Sequence, residues 1–373
     1  MKPLPEQDKL TKPFPMQKKS ILFSSKSIVA VVAVIALLIF YFYGGTDSSR
    51  SKKSGQINQI KTVQKAEKVK QNELIAYLKQ HPQDEFAHFQ LGELIKDRAP
   101  FQALENFSHV TPMHPRYYEA VDAIAEISLK QNLPKQAKKA LLTLIRKFPQ
   151  QSRYQDLLAK LLLEERDYDR ALKHATRSIE LGANQAENHM LVANILRQAG
   201  RTSEMCGPLK QALFLEPESL VAHLNLAYAA LYSGDLQTAE REALWCLKQN
   251  PLSNTALRYL AQIDRSRGNI SEALAHIEQA LVVDPEDFES LLLKADLLIY
   301  QRAGQQAYDL LKPLYLEHQT DRRYITALSR AAGLIGNRKE VLQLQRQNQL
   351  LIKEDDLKPS TLQSETIEDS QSR

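Results

Sequence analysis

The sequence predicts an all-α protein: an α-solenoid of helix-turn-helix repeats with a 34-residue period, standing behind one N-terminal transmembrane helix. Three observations carry this expectation. Small residues recur every 34 positions in two separate columns. Glycine and proline recur at the same interval, as punctuation between the helices. One uncharged apolar run, Ile28 to Tyr43, stands near the N-terminus. Hydrophobic residues make up 43% of the 373, a globular level, so most of the chain is expected to fold.

The first segment, 1–27, is a basic leader. Residues 1–70 carry 13 Lys and Arg against 4 Asp and Glu, a net +9. Within Ile28–Tyr43 about eleven residues are strongly apolar, and at roughly −0.3 to −0.6 kcal/mol each they favour insertion into a bilayer. The run predicts a span over 28–44, short for a bilayer but flanked by Lys26 and by an aromatic end at Tyr41, Phe42 and Tyr43. A cleaved signal peptide would need small residues at the cleavage site, which Tyr41-Phe42-Tyr43-Gly44-Gly45-Thr46 does not supply. Lysines 12, 18, 19 and 26 lean toward a cytoplasmic N-terminus, against Arg50, Lys52 and Lys53 on the far side. The expected location is therefore a bacterial inner membrane, crossed once, with the larger part exported to the periplasm. Residues 45–83 read as a basic linker followed by a leading helix over 57–80, ended by His81-Pro82.

The repeats follow, from 84 to 353. Stepping by 34 gives Ala103, Ala137, Ala171, Met205, Ala239, Ala273 and Ala307. A second column gives Ala125, Ala159, Ala193, Ala227, Ala261 and Ala295, with Gly92 one register short in front. A third gives Pro115, Pro149, Ala183, Pro217, Pro251 and Pro285. Small residues let two antiparallel helices approach closely. Glycines 200, 234, 268 and 336 occupy the turn, where a positive φ costs little. Proline stops the second helix. Helices of about a dozen residues are marginal alone, so neighbouring pairs must stack. Seven repeats result, at 84–117, 118–151, 152–185, 186–219, 220–253, 254–287 and 288–321, with a degenerate eighth at 322–353. Residues 354–373 hold 2 basic and 6 acidic residues and read as a disordered acidic tail.

With its period, small columns, turn glycine and terminal proline, the sequence resembles the tetratricopeptide repeat family over about 84–350. The resemblance implies a right-handed superhelix whose inner surface binds extended peptides or partner helices. Two departures stand out. The aromatic of the early first helix is replaced by His223, Leu257 and Leu291. The run Met205-Cys206-Gly207-Pro208 is expected to shorten or kink one second helix.

The helix from Leu224 onward shows where binding is expected. Leu226, Ala227 and Ala230 share one face, while Leu224, Tyr228, Leu231 and Tyr232 share another. The first face packs on the partner helix of its own repeat; the second meets the next repeat and lines the inner surface. Carried along the repeats, the expected lining is Met190, Asn194, Arg197, Asn225, Tyr228, Tyr232, Arg258, Tyr259, Gln262 and Arg265. Asn194 and Asn225 suit a peptide backbone, the tyrosines offer apolar area with a polar tip, and the arginines suit a carboxylate. Some members of the family grip a terminal carboxylate with Lys, Arg and Asn from successive repeats. The matching early places here include Asp122, Glu126, Asp156 and Lys160, so the early repeats are expected to prefer a basic or neutral ligand.

No enzyme motif is present: GxSxG, GxxxxGK[ST], HExxH and a strand-linked GxGxxG are all absent. The nine histidines are scattered and imply neither a metal nor a cofactor. Cys206 and Cys246 read as small buried side chains, with a disulfide as the alternative. The stretch 71–353 is charge-balanced, which disfavours nucleic acid as a partner. The expected function is a non-enzymatic, membrane-anchored scaffold for protein or peptide partners in envelope or secretion assembly. A maturation chaperone for exported clients and a regulator in a glycosyltransferase pathway are the alternatives; neither partner nor oligomeric state is specified.

Overall fold

The computed structural model describes residues 65–357. The leader, the expected span over 28–44, the linker and the start of the leading helix lie outside the described residues, as does the tail beyond 357. Among the described residues no helix is long and apolar enough to cross a membrane, and no strand occurs. The chain divides into two compact units, Met1–Leu94 and Ile95–Arg373.

In the first unit the leading helix runs over 65–80 (α1). Helix α2, Glu85–Ile95, begins at the cap residue Asp84, whose carboxylate accepts the Ala87 N–H at 3.1 Å and the Tyr77 hydroxyl at 2.9 Å. Those hydrogen bonds hold the Asp84 carboxyl below its usual range.

The second unit is a succession of helix pairs. It contains α3 (Pro100–Ser108), α4 (Tyr117–Lys130), α5 (Pro134–Lys147), α6 (Ser152–Glu164), α7 (Tyr168–Glu180) and α8 (Ala186–Gln198). It continues with α9 (Cys206–Leu215), α10 (Leu220–Ser233), α11 (Leu236–Gln249), α12 (Asn254–Arg267), α13 (Ile270–Val283) and α14 (Phe288–Tyr300). Then come α15 (Gly304–Leu311), α16 (Tyr315–His318), α17 (Arg322–Leu334) and α18 (Arg338–Leu357). Contacts run between sequence neighbours, and first helices also touch across repeats, as α10 does α12 and α12 does α14. That pattern is the quasi-one-dimensional packing expected of stacked repeats.

The predicted columns are the helix interfaces. Ala103, Ala137, Ala171, Ala239, Ala273 and Ala307 are fully buried, as are Ala159, Ala227, Ala261 and Ala295. A side chain larger than a methyl at these places would hold the paired helices apart.

The turns repeat with equal regularity. Asn132, Arg166, Gly200, Gly234, Gly268, Arg302 and Gly336 all have positive φ, and they stand 34 residues apart. At each, two backbone bonds close the helix end. Around Gly234 the Gly234 N–H donates to the Leu231 carbonyl at 3.2 Å and the Asp235 N–H to the Ala230 carbonyl at 2.9 Å. Around Arg166 the equivalent bonds are Arg166 to Leu163 at 3.0 Å and Asp167 to Leu162 at 2.9 Å. This is the Schellman arrangement, which satisfies carbonyls left without a helical partner. The next residue then starts the following helix: Asp167 and Asp235 accept the N–H groups of Arg170 and Thr238. Glycine at the turn is visible in sequence; the arginines that take the same backbone conformation are not.

Three departures from regularity matter. The run Met205-Cys206-Gly207-Pro208 does shorten its second helix: a 3-10 turn over Thr202–Met205 precedes the ten-residue α9. Pro208 sits in the first turn of α9, where its missing N–H leaves no helical bond unmade. In the repeat over 288–321, Pro313 ends α15 in a 3-10 turn over Lys312–Leu314. There Gly304 approaches α17 so closely that a β-carbon would lie 2.4 Å from the Leu334 Cβ. Finally, α18 runs to Leu357, past the expected tail boundary at 354. No glycine or proline interrupts it until Pro359, which disfavours helix at the residue before it.

Both cysteines are free thiols. Cys246 is fully buried, and burial pushes its thiol up to about 11.

Candidate functional site

The two faces read from Leu224–Tyr232 separate as expected. Leu226, Ala227 and Ala230 are buried on one side of α10, while Leu224, Tyr228 and Leu231 are partly buried and Tyr232 is 61% exposed on the other. Tyr228 therefore does two jobs. It packs against the core shared by α6, α8 and α10 and also meets Tyr232 at 4.6 Å between ring centroids and Tyr259 at 6.1 Å. Tyr259, on α12, is partly buried, and desolvation pushes its phenol up to about 12. Burial also raises the Tyr232 phenol, with Tyr228 adding to the rise and Arg265 opposing it. Of the three rings, Tyr232 offers the most surface to a partner.

Beside this aromatic group, between α8 and α10, lies a pocket of about 330 Å3. Four expected residues line it: Met190, Asn194 and Arg197 from α8, and Asn225 from α10. Sequence reasoning missed Glu187, Leu191, Ala193, Met205 and Val221 as lining, and these complete it. Glu187 and Val221 occupy one position of the repeat, in the first turn of successive first helices, and that spacing was readable. Met205 was not readable as pocket floor. It stands in the alanine column, but here the 3-10 turn carries it between α8 and α10, packs on both, and buries it to 1%.

The polar groups of the pocket are under-used. The Arg197 guanidinium donates to Asn194 Oδ1 at 3.1 Å and pairs with no carboxylate among the described residues. The Asn225 side chain bonds to no protein group among the described residues, and Glu187 meets no cation there.

The remaining expected arginines behave otherwise. Arg258 reaches Asp287 at 3.3 Å, and both side chains are largely covered. Arg265 lies 3.9 Å from Asp296, which Arg330 also meets at 3.4 Å. Farther along the same face Arg323 holds Glu289 at 2.9 Å. The expectation that Arg258 and Arg265 stand ready for a partner's carboxylate is thus corrected: α14 and its cap residue already provide one to each. Gln262 sits between them, partly buried. In the early repeats Arg153 neutralises Asp122 at 3.2 Å and Glu126 at 2.6 Å, and Lys160 pairs with Asp156 at 2.6 Å. The acidic lining expected there is internally compensated.

The missing aromatic of the early first helix also finds its explanation. His223 on α10 stacks on Trp245 of α11 at 3.6 Å. Its Nδ1 lies 2.6 Å from Glu242 Oε2, and its Nε2 lies 2.9 Å from the Pro217 carbonyl. The aromatic surface comes from the second helix instead of the first.

Models described as tetratricopeptide repeat match residues 94–161 and 224–268. The chain carries tetratricopeptide repeats. Among solved structures it is similar to PilW, described as a widely conserved type IV pilus biogenesis factor. That match has 17% identity and a TM-score of 0.47, over 58% of this chain and 100% of that one. A tetratricopeptide repeat protein from Parabacteroides merdae matches at 14% identity and a TM-score of 0.47, over 66% of this chain and 98% of that one. YrrB, described as a TPR protein with an unusual peptide-binding site, matches at 12% identity and a TM-score of 0.33. It covers 58% of this chain and 95% of that one. These likenesses concern the fold alone. No curated protein matches the chain.

Proposed function

We propose that this protein is a non-catalytic scaffold that takes extended segments of protein partners on the first-helix face of its repeats, centred on α8, α10 and α12. One observation carries the proposal. On that face, near the exposed ring of Tyr232, lies a 330 Å3 pocket in which the Asn225 amide makes no hydrogen bond to protein and the Arg197 guanidinium and Glu187 carboxylate meet no opposite charge among the described residues. Apolar surface set beside a few polar groups that make no ion pair within the fold is the lining typical of a ligand pocket.

The scaffold is further proposed to be held at a membrane through 28–44, with the repeats outside the cytoplasm. The uncharged run and the lysine excess before it support this, and both are features of sequence. Assembly of an envelope or secretion complex is the setting that such a tether suits.

The test is a photo-crosslinking residue in place of Tyr232 in the membrane-bound protein in its native cells. One dominant captured protein is the expected result, and its compartment reports the side on which the repeats lie. Capture of many unrelated exported proteins would replace the scaffold with a chaperone. No capture by a folded, inserted protein would remove this face from consideration.

A further inference from the structure

The pocket between α8 and α10 carries opposite charges at its two ends. Glu187 stands in the first turn of α8 and Arg197 in its last, ten residues on. At 1.5 Å per residue that places them about 15 Å apart along the axis. Both side chains are exposed, both line the pocket, and neither pairs with an opposite charge among the described residues. They differ in this from Arg258, Arg265 and Arg323, each of which meets a carboxylate. Between the two charges the lining is apolar, with Met190, Leu191 and Ala193 on α8 and the buried Met205 beside them.

We infer that this pocket selects a segment bearing one positive and one negative side chain with an aliphatic side chain between them. An extended chain advances about 3.3 Å per residue, so 15 Å separates residues four to five apart. The cation sits by Glu187, the anion by Arg197, and the aliphatic group on the two methionines. The Asn194 amide N–H groups donate to the intervening backbone, since its Oδ1 already accepts from Arg197 and Gln198, and Asn225 can both donate and accept. The inference rests on the first-helix face being the binding face, and it adds what that face selects. Because the charges sit at fixed ends, they also orient the bound segment along α8.

The test uses the full chain in detergent micelles and fluorescein-labelled nonapeptides, read by anisotropy at low and physiological salt. The cores are Lys-Ala-Leu-Ala-Glu, Lys-Ala-Leu-Ala-Lys, Glu-Ala-Leu-Ala-Glu and Lys-Ala-Ala-Ala-Glu. The mixed-charge leucine peptide is expected to bind about three- to fivefold tighter than either like-charged one, as exposed ion pairs allow, with the margin narrowing in salt. Loss of the leucine side chain is expected to cost about tenfold or more. The decisive readout is the change in ranking. Arg197→Glu should turn the preference to the peptide with two lysines, and Glu187→Lys to the one with two glutamates. Both substitutions lie on exposed positions, and an unchanged circular-dichroism melt confirms folding. One ranking across wild type and both variants would overturn the inference, as would the absence of binding by every peptide. A pocket closed by the chain's own residues 358–373 or by a second copy gives that last result, and truncation after Leu357 or dilution identifies which. Capture at Tyr232 without any charge preference would leave the binding face standing and remove only this selectivity.

Discussion

Replacing Arg166 and Arg302 with glycine should stabilise the protein. Both have φ near +60°, at positions where four other repeats carry glycine. An L-residue in the left-handed region costs roughly 1–2 kcal/mol. Glycine avoids that cost but loses about 0.5–1 kcal/mol through its freer unfolded chain. The difference is a gain of about 0.5–1 kcal/mol per site. Nothing on the structure subtracts from it, because both side chains are exposed and form no hydrogen bond or ion pair among the described residues. The sites are four repeats apart, so the two gains should add. Urea unfolding followed at 222 nm reads the sum as a higher midpoint with an unchanged slope. Amide exchange at Asp167 and Ala303, whose N–H groups close the two turns at 2.9 Å, reads each site locally. The reverse change supplies the control. At Gly234 a β-carbon would meet nothing within 4 Å, so Gly234→Arg tests backbone strain alone and should lose about as much. If Arg166→Gly and Arg302→Gly lower the midpoint while Gly234→Arg leaves it unmoved, backbone conformation does not govern these turns.

Two further outcomes follow from particular packing. Met205→Ala restores the residue that the other repeats use, yet it should destabilise by about 2–5 kcal/mol, because the side chain is 1% exposed and its removal opens a cavity between α8 and α10. A neutral result in thermal or urea unfolding would show that the 3-10 turn relaxes to close the gap. Glu340 accepts hydrogen bonds from Tyr308 at 2.6 Å, Lys312 at 2.5 Å and Asn337 at 2.7 Å. Burial pushes its carboxyl up, but the bonds from Lys312 and Tyr308 outweigh it, so its folded pKa lies below the usual value. A depressed carboxyl contributes stability that is present above the unfolded pKa and is lost as pH falls through the folded one. Glu340→Gln should therefore lower stability at neutral pH and flatten its decline on acidification, and a decline of unchanged depth would assign the acid sensitivity elsewhere.

The fold was legible because its constraints act at single positions. A buried interface between two helices admits only small side chains at the crossing, and that requirement writes Ala239 and Ala227 into fixed columns. The turn writes Gly234 and Gly268 in the same way, but less reliably, since Arg166 and Arg302 accept strain there. The lining of the first-helix face was legible by position, because helical spacing alone decides which side of α8 or α10 a residue faces. Its chemistry was not. Whether Arg258 is available depends on Asp287, which lies 29 residues away at the cap of α14 and meets it only once α14 packs on α12. The same ordering hid the neutralisation of Asp122 and Glu126 by Arg153. Charge state on a repeat face belongs to pairs across the interface, and one repeat's sequence contains half of each pair.

The irregular repeat ties these strands together. Six of seven positions in one column are alanine, and there the second helix lies close on the first. At Met205 the chain winds a 3-10 turn instead, and α9 starts four residues later than the other repeats would place their second helix. The turn fills the space between α8 and α10 with a flexible thioether, a side chain that adapts to irregular gaps. The price is regularity; the consequence is a recess at Met205 on a face whose arginines Arg258, Arg265 and Arg323 already meet carboxylates. Beside that recess Arg197, Glu187 and Asn225 keep their unpaired groups. The departure from the repeat pattern and the spare hydrogen-bonding capacity coincide in one place. That coincidence is the physical reason to look for the partner between α8 and α10.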